Sequence, residues 1–193
     1  MGLCNLKHVK QTNDCSENPG GTSNYCMVVP IDSDHIEGNI EINDEKNQYN
    51  ITPKGGSGST LKGFKIAFKN QSGQVSSEDN GEGGANTVTG TGLVDKNEDD
   101  MAVLGRRLSN MGGGYMVFFP TGKTKKVNGT SQKEWKVVGN PTGDVVFSRT
   151  NDSGKNRNDE HGTTFNFVCN FQVYDVVKYY GEIAEDVESD SSN

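Results

Sequence analysis

The chain has 193 residues, a mass of 20.9 kDa, a net charge of -7 and a pI near 5.0. That length supports one ordinary domain, and no stretch approaches the roughly 20 apolar residues of a membrane-spanning helix. The acidic balance argues against a nucleic-acid binder with a broadly basic surface, and residues 1–23 hold no apolar core of a secretory signal.

Composition favours strands. There are 18 Val against 6 Leu and 4 Ala, and β-branched residues suit pleated, half-buried surfaces better than helices. The 25 Gly, with many Asn, Ser and Thr, supply turns. A mean hydropathy of -0.73 predicts a thin core and surfaces that find partners.

In chain order, residues 1–23 are polar and turn-rich, with a loop at Pro19-Gly20-Gly21, and read as an N-terminal arm that orders against something else. Met1-Gly2 is not a myristoylation start, because Leu6 stands where Ser or Thr is needed. Strands are expected at 24–31, 38–42, 48–52, 62–69, 73–78 and 86–94. Phe64, Ile66 and Phe68 alternate with Gly63, Lys65, Ala67 and Lys69, the period of a strand with one buried face.

The period then changes. Asn97 caps an expected helix over 97–111, with Glu98, Asp99 and Asp100 in its first turn and Met101, Leu104, Leu108 and Met111 on one face. Arg106 and Arg107 lie toward its end, and Gly112-Gly113-Gly114 stops it. Further strands are expected at 115–119, 134–138, 144–149 and 163–174. In the last, Phe165, Phe167, Cys169, Phe171 and Val173 share one face and Asn166, Val168, Asn170 and Gln172 the other. That second, polar face either lines a polar lumen or meets solvent. Residues 182–193 are expected as an acidic tail, disordered or late-ordering. The whole reads as mainly β: a β-sandwich or open barrel of about ten strands over residues 24–181, with one covering helix.

No constellation for catalysis stands out, and no enzyme is expected. Gly122-Lys123-Thr124 lacks the first glycine of a phosphate loop, since position 117 is Val117. His8, His35 and His161 fit no nucleophile or zinc motif and read as loop histidines. Cys4, Cys15, Cys26 and Cys169 include no C-x-x-C pair. They are expected as reduced thiols, Cys26 and Cys169 as small core residues; a metal set of Cys4, Cys15 and His8 is the alternative. The acidic runs at Asp32-Ser33-Asp34, 78–82 and around Asp152, Asp159 and Glu160 lack the offsets of a calcium loop and read as solvated charges. The sequons at Asn50, Asn70, Asn128 and Asn151 carry no weight in so Asn-rich a chain. No cofactor or metal is expected.

Two long polar loops remain, 75–84 and 150–162. Loops of that length in a compact domain are functional or disordered. Ser76, Glu78, Asp79 and Glu82 in the first, and Asp152, Lys155, Arg157, Asp159 and Glu160 in the second, are the candidate subunit-interface residues. Mixed charge in the second suits pairing between subunits and plain solvation equally.

An ordering arm, a thin β-sandwich, a single helix between strands (Asn97–Met111) and long polar loops together resemble the tail-tube and tail-ring proteins of tailed bacteriophages. The chain is also similar in style to virion proteins of phages from gut Bacteroidales. The resemblance covers residues 24–181 as a pattern of elements. It implies a non-enzymatic virion protein, made in the bacterial host cytoplasm, that assembles as a hexameric or dodecameric ring or a tube in the tail or neck. Strands of neighbouring copies would join around a channel, the arm and loops would lock copies and neighbouring tail or neck proteins together, and DNA would meet the protein only in transit. No membrane is involved. A carbohydrate- or surface-binding sandwich module is the alternative, as is a capsid-decoration or head–tail connector protein.

Overall fold

The computed structural model describes residues 24–43, 45–56, 58–81, 85–95, 98–127, 129–152 and 162–186, without the side chains of Glu98 and Asp152. Twelve strands and one helix follow in the order β1 (Tyr25–Pro30), β2 (Glu41–Asn43), β3 (Gln48–Asn50), β4 (Leu61–Ala67), β5 (Gln74–Asp79), β6 (Asn86–Asp95), α1 (Glu98–Ser109), β7 (Tyr115–Val127), β8 (Thr130–Val138), β9 (Val146–Asp152), β10 (Gly162–Gln172), β11 (Val177–Tyr180) and β12 (Ile183–Glu185). The protein is mainly β, as its composition implies, and among the described residues its one helix lies where the charge and glycine signals place it, while Asn97, the expected cap, lies outside the described residues.

The strands form two sheets. One has eight strands in the order β12-β4-β1-β7-β8-β11-β3-β2, and the other four in the order β5-β6-β10-β9. The eight-stranded sheet is curled. Tyr180 and Ile183 lie three Cα–Cα steps apart, at most about 11 Å. Yet their strands stand five places apart in the sheet, about 24 Å in a flat one. Only rolling brings β4 close enough to β11 for β12 to pair with it. Trp135 Nε1 donates to Gly181 O at 2.8 Å and pins this crossing.

Rolling divides the core in two. Cys26, Val28, Val117, Phe119 and Val138 face the four-stranded sheet and meet Val88, Phe165, Phe167 and Cys169 there, with Met101 and Leu108 of α1 closing one side. Met27, Val29, Met116, Phe118, Trp135, Tyr49, Leu61 and Tyr179 fill the inside of the roll. The middle strands β1 and β7 are therefore buried on both faces, which is why Cys-Met-Val-Val and Tyr-Met-Val-Phe-Phe are unbroken apolar runs. Gly90 and Gly92 let rings lie on the backbone: an added Cβ would strike Phe119 at Gly90 and Phe165 at Gly92. Triple glycine 112–114 has a comparable role, since a Cβ on Gly113 would lie 2.6 Å from Ile31 O and Gly114 takes a φ of +75° against Gly143.

Three expectations change. The strand over 163–174 ends at Gln172 and carries a bulge: Cys169 pairs with Val88 but Gln172 with Asn86, so two residues oppose one. The alternation flips there. Gln172 turns into the core, with Oε1 accepting from Gly139 N (3.1 Å) and Nε2 donating to Val137 O and Asp175 O, while Phe171 and Val173 turn outward, 65% and 58% exposed. Second, β7 and β8 run past the expected ends at 119 and 134, out to the pair Val127–Thr130. Third, ordered structure continues through Glu185, because β12 pairs in parallel with β4 four residues into the expected acidic tail.

Candidate functional site

The two polar segments singled out in the sequence fall at opposite edges of the four-stranded sheet. Ser76, Glu78 and Asp79 lie on β5, at one edge, and Asp152 ends β9, at the other. Asp79 Oδ1 accepts from Gly81 N at 2.9 Å, which starts the β5–β6 turn. Glu82, Lys155, Arg157, Asp159 and Glu160 lie outside the described residues. All four strands alternate in direction, and among the described residues neither β5 nor β9 has a second strand partner.

The outer face of this sheet is hydroxyl- and amide-rich. Ser76, Thr89 and Val168 stand in one cross-strand row, and Gln74, Thr91, Asn166 and Ser148 in the next. Val146, opposite Val168, is 61% exposed and adds an apolar spot to this face. The inner face is apolar because it meets the rolled sheet; the outer face has no such layer over it among the described residues.

A polar cleft of about 310 Å³ opens beside the β11–β12 crossing, with Gln48, Asn50, Gln132, Tyr180 and Glu182 among its lining residues. Beside it lies a charge network that sequence reasoning missed. Glu134 accepts from Tyr180 Oη at 2.9 Å and Thr121 Oγ1 at 3.1 Å, and faces Lys178 Nζ at 3.4 Å. Burial pushes the Glu134 carboxyl up, but the Tyr180 bond, the Lys178 charge and the Thr121 bond outweigh it and hold the group below the usual range. Burial, and after it the same contact with Glu134, push the Tyr180 phenol up to about 12. Tyr180 pairs with Glu134 across β11 and β8, a pairing invisible until the order of strands is known.

His35 is the second grouping. Its Nδ1 lies 2.6 Å from Asp32 Oδ1 and its Nε2 3.3 Å from Asp186 Oδ2. Asp32 Oδ1 also accepts from the backbone of Asp34 and His35, so the loop after β1 folds around it. Asp186 comes from the far end of the chain. The arrangement ties β12 to that loop; it brings no nucleophile to the ring.

Cys26 and Cys169 are free and buried in the core, and burial pushes both thiols up, which keeps them protonated and unreactive. Among the described residues no three His, Cys, Asp or Glu converge as a metal set, and no helix is long and apolar enough to cross a membrane. Cys4, Cys15, His8 and His161 lie outside the described residues. The chain matches no family model, no curated protein and no solved structure.

Proposed function

We propose that the chain is a non-enzymatic structural subunit that joins copies of itself into a ring or tube through the edges of its four-stranded sheet, in the manner its resemblance to phage tail-tube and tail-ring proteins implies. One observation carries the reading: four alternating strands whose edges, β5 and β9, have no further strand partner among the described residues. Because the number is even, β9 of one copy meets β5 of the next antiparallel, and the pattern continues from copy to copy. A head-to-tail contact of this kind closes into a ring when its rotation divides the circle, and closure covers both edges of the four-stranded sheet. The hydroxyl- and amide-rich outer face then becomes one continuous wall of a channel through which DNA passes without firm attachment. The virion, with its tail or neck proteins as neighbours, is the setting this reading gives.

Light scattering of the purified protein, with negative-stain images of the same sample, tests it. Rings or tubes are expected, and monomers at every concentration would sink the reading. Adjacent residues on β9 direct their N–H groups to opposite sides, so of Ser148→Pro and Arg149→Pro one strikes the free edge. The variant that keeps its melting temperature is the edge variant, and it should fail to assemble. A surface-binding module is the second reading. It rests on the polar cleft, where the amides of Gln48, Asn50 and Gln132 could grip sugar hydroxyls, and a glycan screen decides it.

A further inference from the structure

Both ring nitrogens of His35 face carboxylates. Nδ1 lies 2.6 Å from Asp32 Oδ1 and Nε2 3.3 Å from Asp186 Oδ2. Among the described residues these are the ring's only hydrogen-bonding partners. An ionised carboxylate only accepts, and a neutral imidazole carries one N–H and one bare lone pair. Two such acceptors therefore need two ring N–H groups, which only the imidazolium has. When the second proton leaves, one nitrogen turns its lone pair toward a carboxylate oxygen and the contact becomes repulsive. Burial pushes the Asp32 carboxyl up, but the His35 bond and charge and the N–H groups of Asp34 and His35 outweigh it and keep Asp32 ionised.

The two contacts join different things. Asp32 stands three residues before His35 in the same loop, so that contact survives any movement of the chain end. Asp186 stands 151 residues away, just past β12. β12 has three residues, lies outermost in the eight-stranded sheet and pairs in parallel with β4, the weaker kind of pairing. Its last tie to β4 is Asp186 N donating to Gly63 O at 2.9 Å. Lys65–Glu185 and Lys133–Glu182 also hold this segment, but both pairs are exposed, whereas the His35 side chain is 12% exposed and that of Asp186 27%. Around the ring, the loop supplies Asp32 and Asp34, and the chain end supplies Asp186 beside Glu185. The 53–54 turn brings the backbone N–H of Lys54 to His35 O, and β4 brings the Phe64 ring at 6.3 Å, with Lys62 on the same face opposite Ala184.

We propose that His35 is a proton-operated latch for the C-terminal strand: the doubly protonated ring holds the end of β12 on β4, and loss of one proton lets that end go. The latched form differs from the released form by the Asp186 contact, so it binds the second ring proton better. By reciprocity the proton favours the latched form. The stabilisation is present on the acid side of the ring's titration and lost as pH rises through it. Histidine is the side chain whose charge changes between about pH 5 and 8. One partly exposed ion pair separates the two forms, so release changes by about two- to fivefold, a graded response. Release bares the β4 backbone over Leu61–Gly63, which β12 otherwise covers. The latch lies on the eight-stranded sheet and works whether or not copies join through β5 and β9.

The test uses the full chain between about pH 5 and 8.5. Nitrogen NMR signals of the His35 ring report its protons. Amide exchange over β12 and Asp186, corrected for the intrinsic rate at each pH, reports release. In the wild type, protection should fall about two- to fivefold as the ring loses its charge, with the same midpoint. Asp186→Asn separates this chemistry from packing. Its side-chain amide donates to a neutral ring nitrogen, so β12 should stay protected at high pH, and the ring should hold its second proton about two- to fivefold more weakly. His35→Gln keeps a donor and does not titrate, so its protection should be flat with pH. Both replacements are close in size and leave the core untouched, and the far-UV spectrum should hold. A ring that titrates while β12 protection stays flat overturns the latch, as does a wild-type pH profile in His35→Gln. Unchanged proton affinity in Asp186→Asn removes Asp186 as the partner and overturns it too.

Discussion

The two sheets differ in what they need. The eight-stranded sheet wraps around its own contents: Trp135, Tyr49, Phe118 and Leu61 are buried within the roll. The four-stranded sheet owns one apolar face and depends on the other sheet, through Phe119 and Val138 against Gly90 and through Phe165 and Phe167. Among the described residues the four-stranded sheet buries one face and has no further strand at either edge, which leaves it free surface and free backbone. The self-contained sheet is the scaffold, and the dependent one is where the proposed contacts between copies would form.

The largest effect should come from the seam between the sheets. Phe119 is fully buried there, so Phe119→Ala should cost about 3–5 kcal/mol in denaturant unfolding. Hydrogen exchange should show β5, β6, β9 and β10 opening before the roll does; simultaneous loss of both sheets would erase the distinction. Next comes Gln172→Leu, which strands the Gly139 N–H and the Val137 carbonyl in the core. About 3 kcal/mol is expected, with amide signals around the bulge shifting more than those of β1. A cost below about 0.5 kcal/mol would mean the bulge does not depend on that side chain.

Trp135→Phe should cost about 2 kcal/mol, from a lost hydrogen bond to Gly181 and a small cavity. Its effect should centre on β11 and β12 and leave the four-stranded sheet protected. The smallest effect concerns acid. Glu134 is held below its unfolded range, so its contribution is present above that range and lost as pH falls through the folded value. Between about pH 5 and 3 the wild type should lose slightly more stability than Glu134→Gln, by under about 1 kcal/mol because the site is partly open to water. Equal acid profiles would show that the Tyr180 and Lys178 contacts add nothing measurable.

The helix was legible because every signal for it is local: an acidic first turn, a spacing of three and four, basic residues late and a glycine stop. Most strands were legible for the same reason, and Cys26 and Cys169 followed from the runs around them. β12 was not, because Ile183–Glu185 has a strand's conformation only where the roll brings β4 alongside it. The ends of β7 and β8 were missed because a ribbon without a buried face leaves no apolar period to read.

The sequence by itself determined a mainly β chain, one helix and two polar segments set apart from the rest. Tertiary structure decided that these segments stand on opposite edges of one sheet, that Phe171 points outward and Gln172 inward, and that Glu134 meets Tyr180. Local propensity depends on neighbours a few residues away. Edge and face are fixed by pairings between strands tens of residues apart, where a single bulge reverses which side chains meet the core.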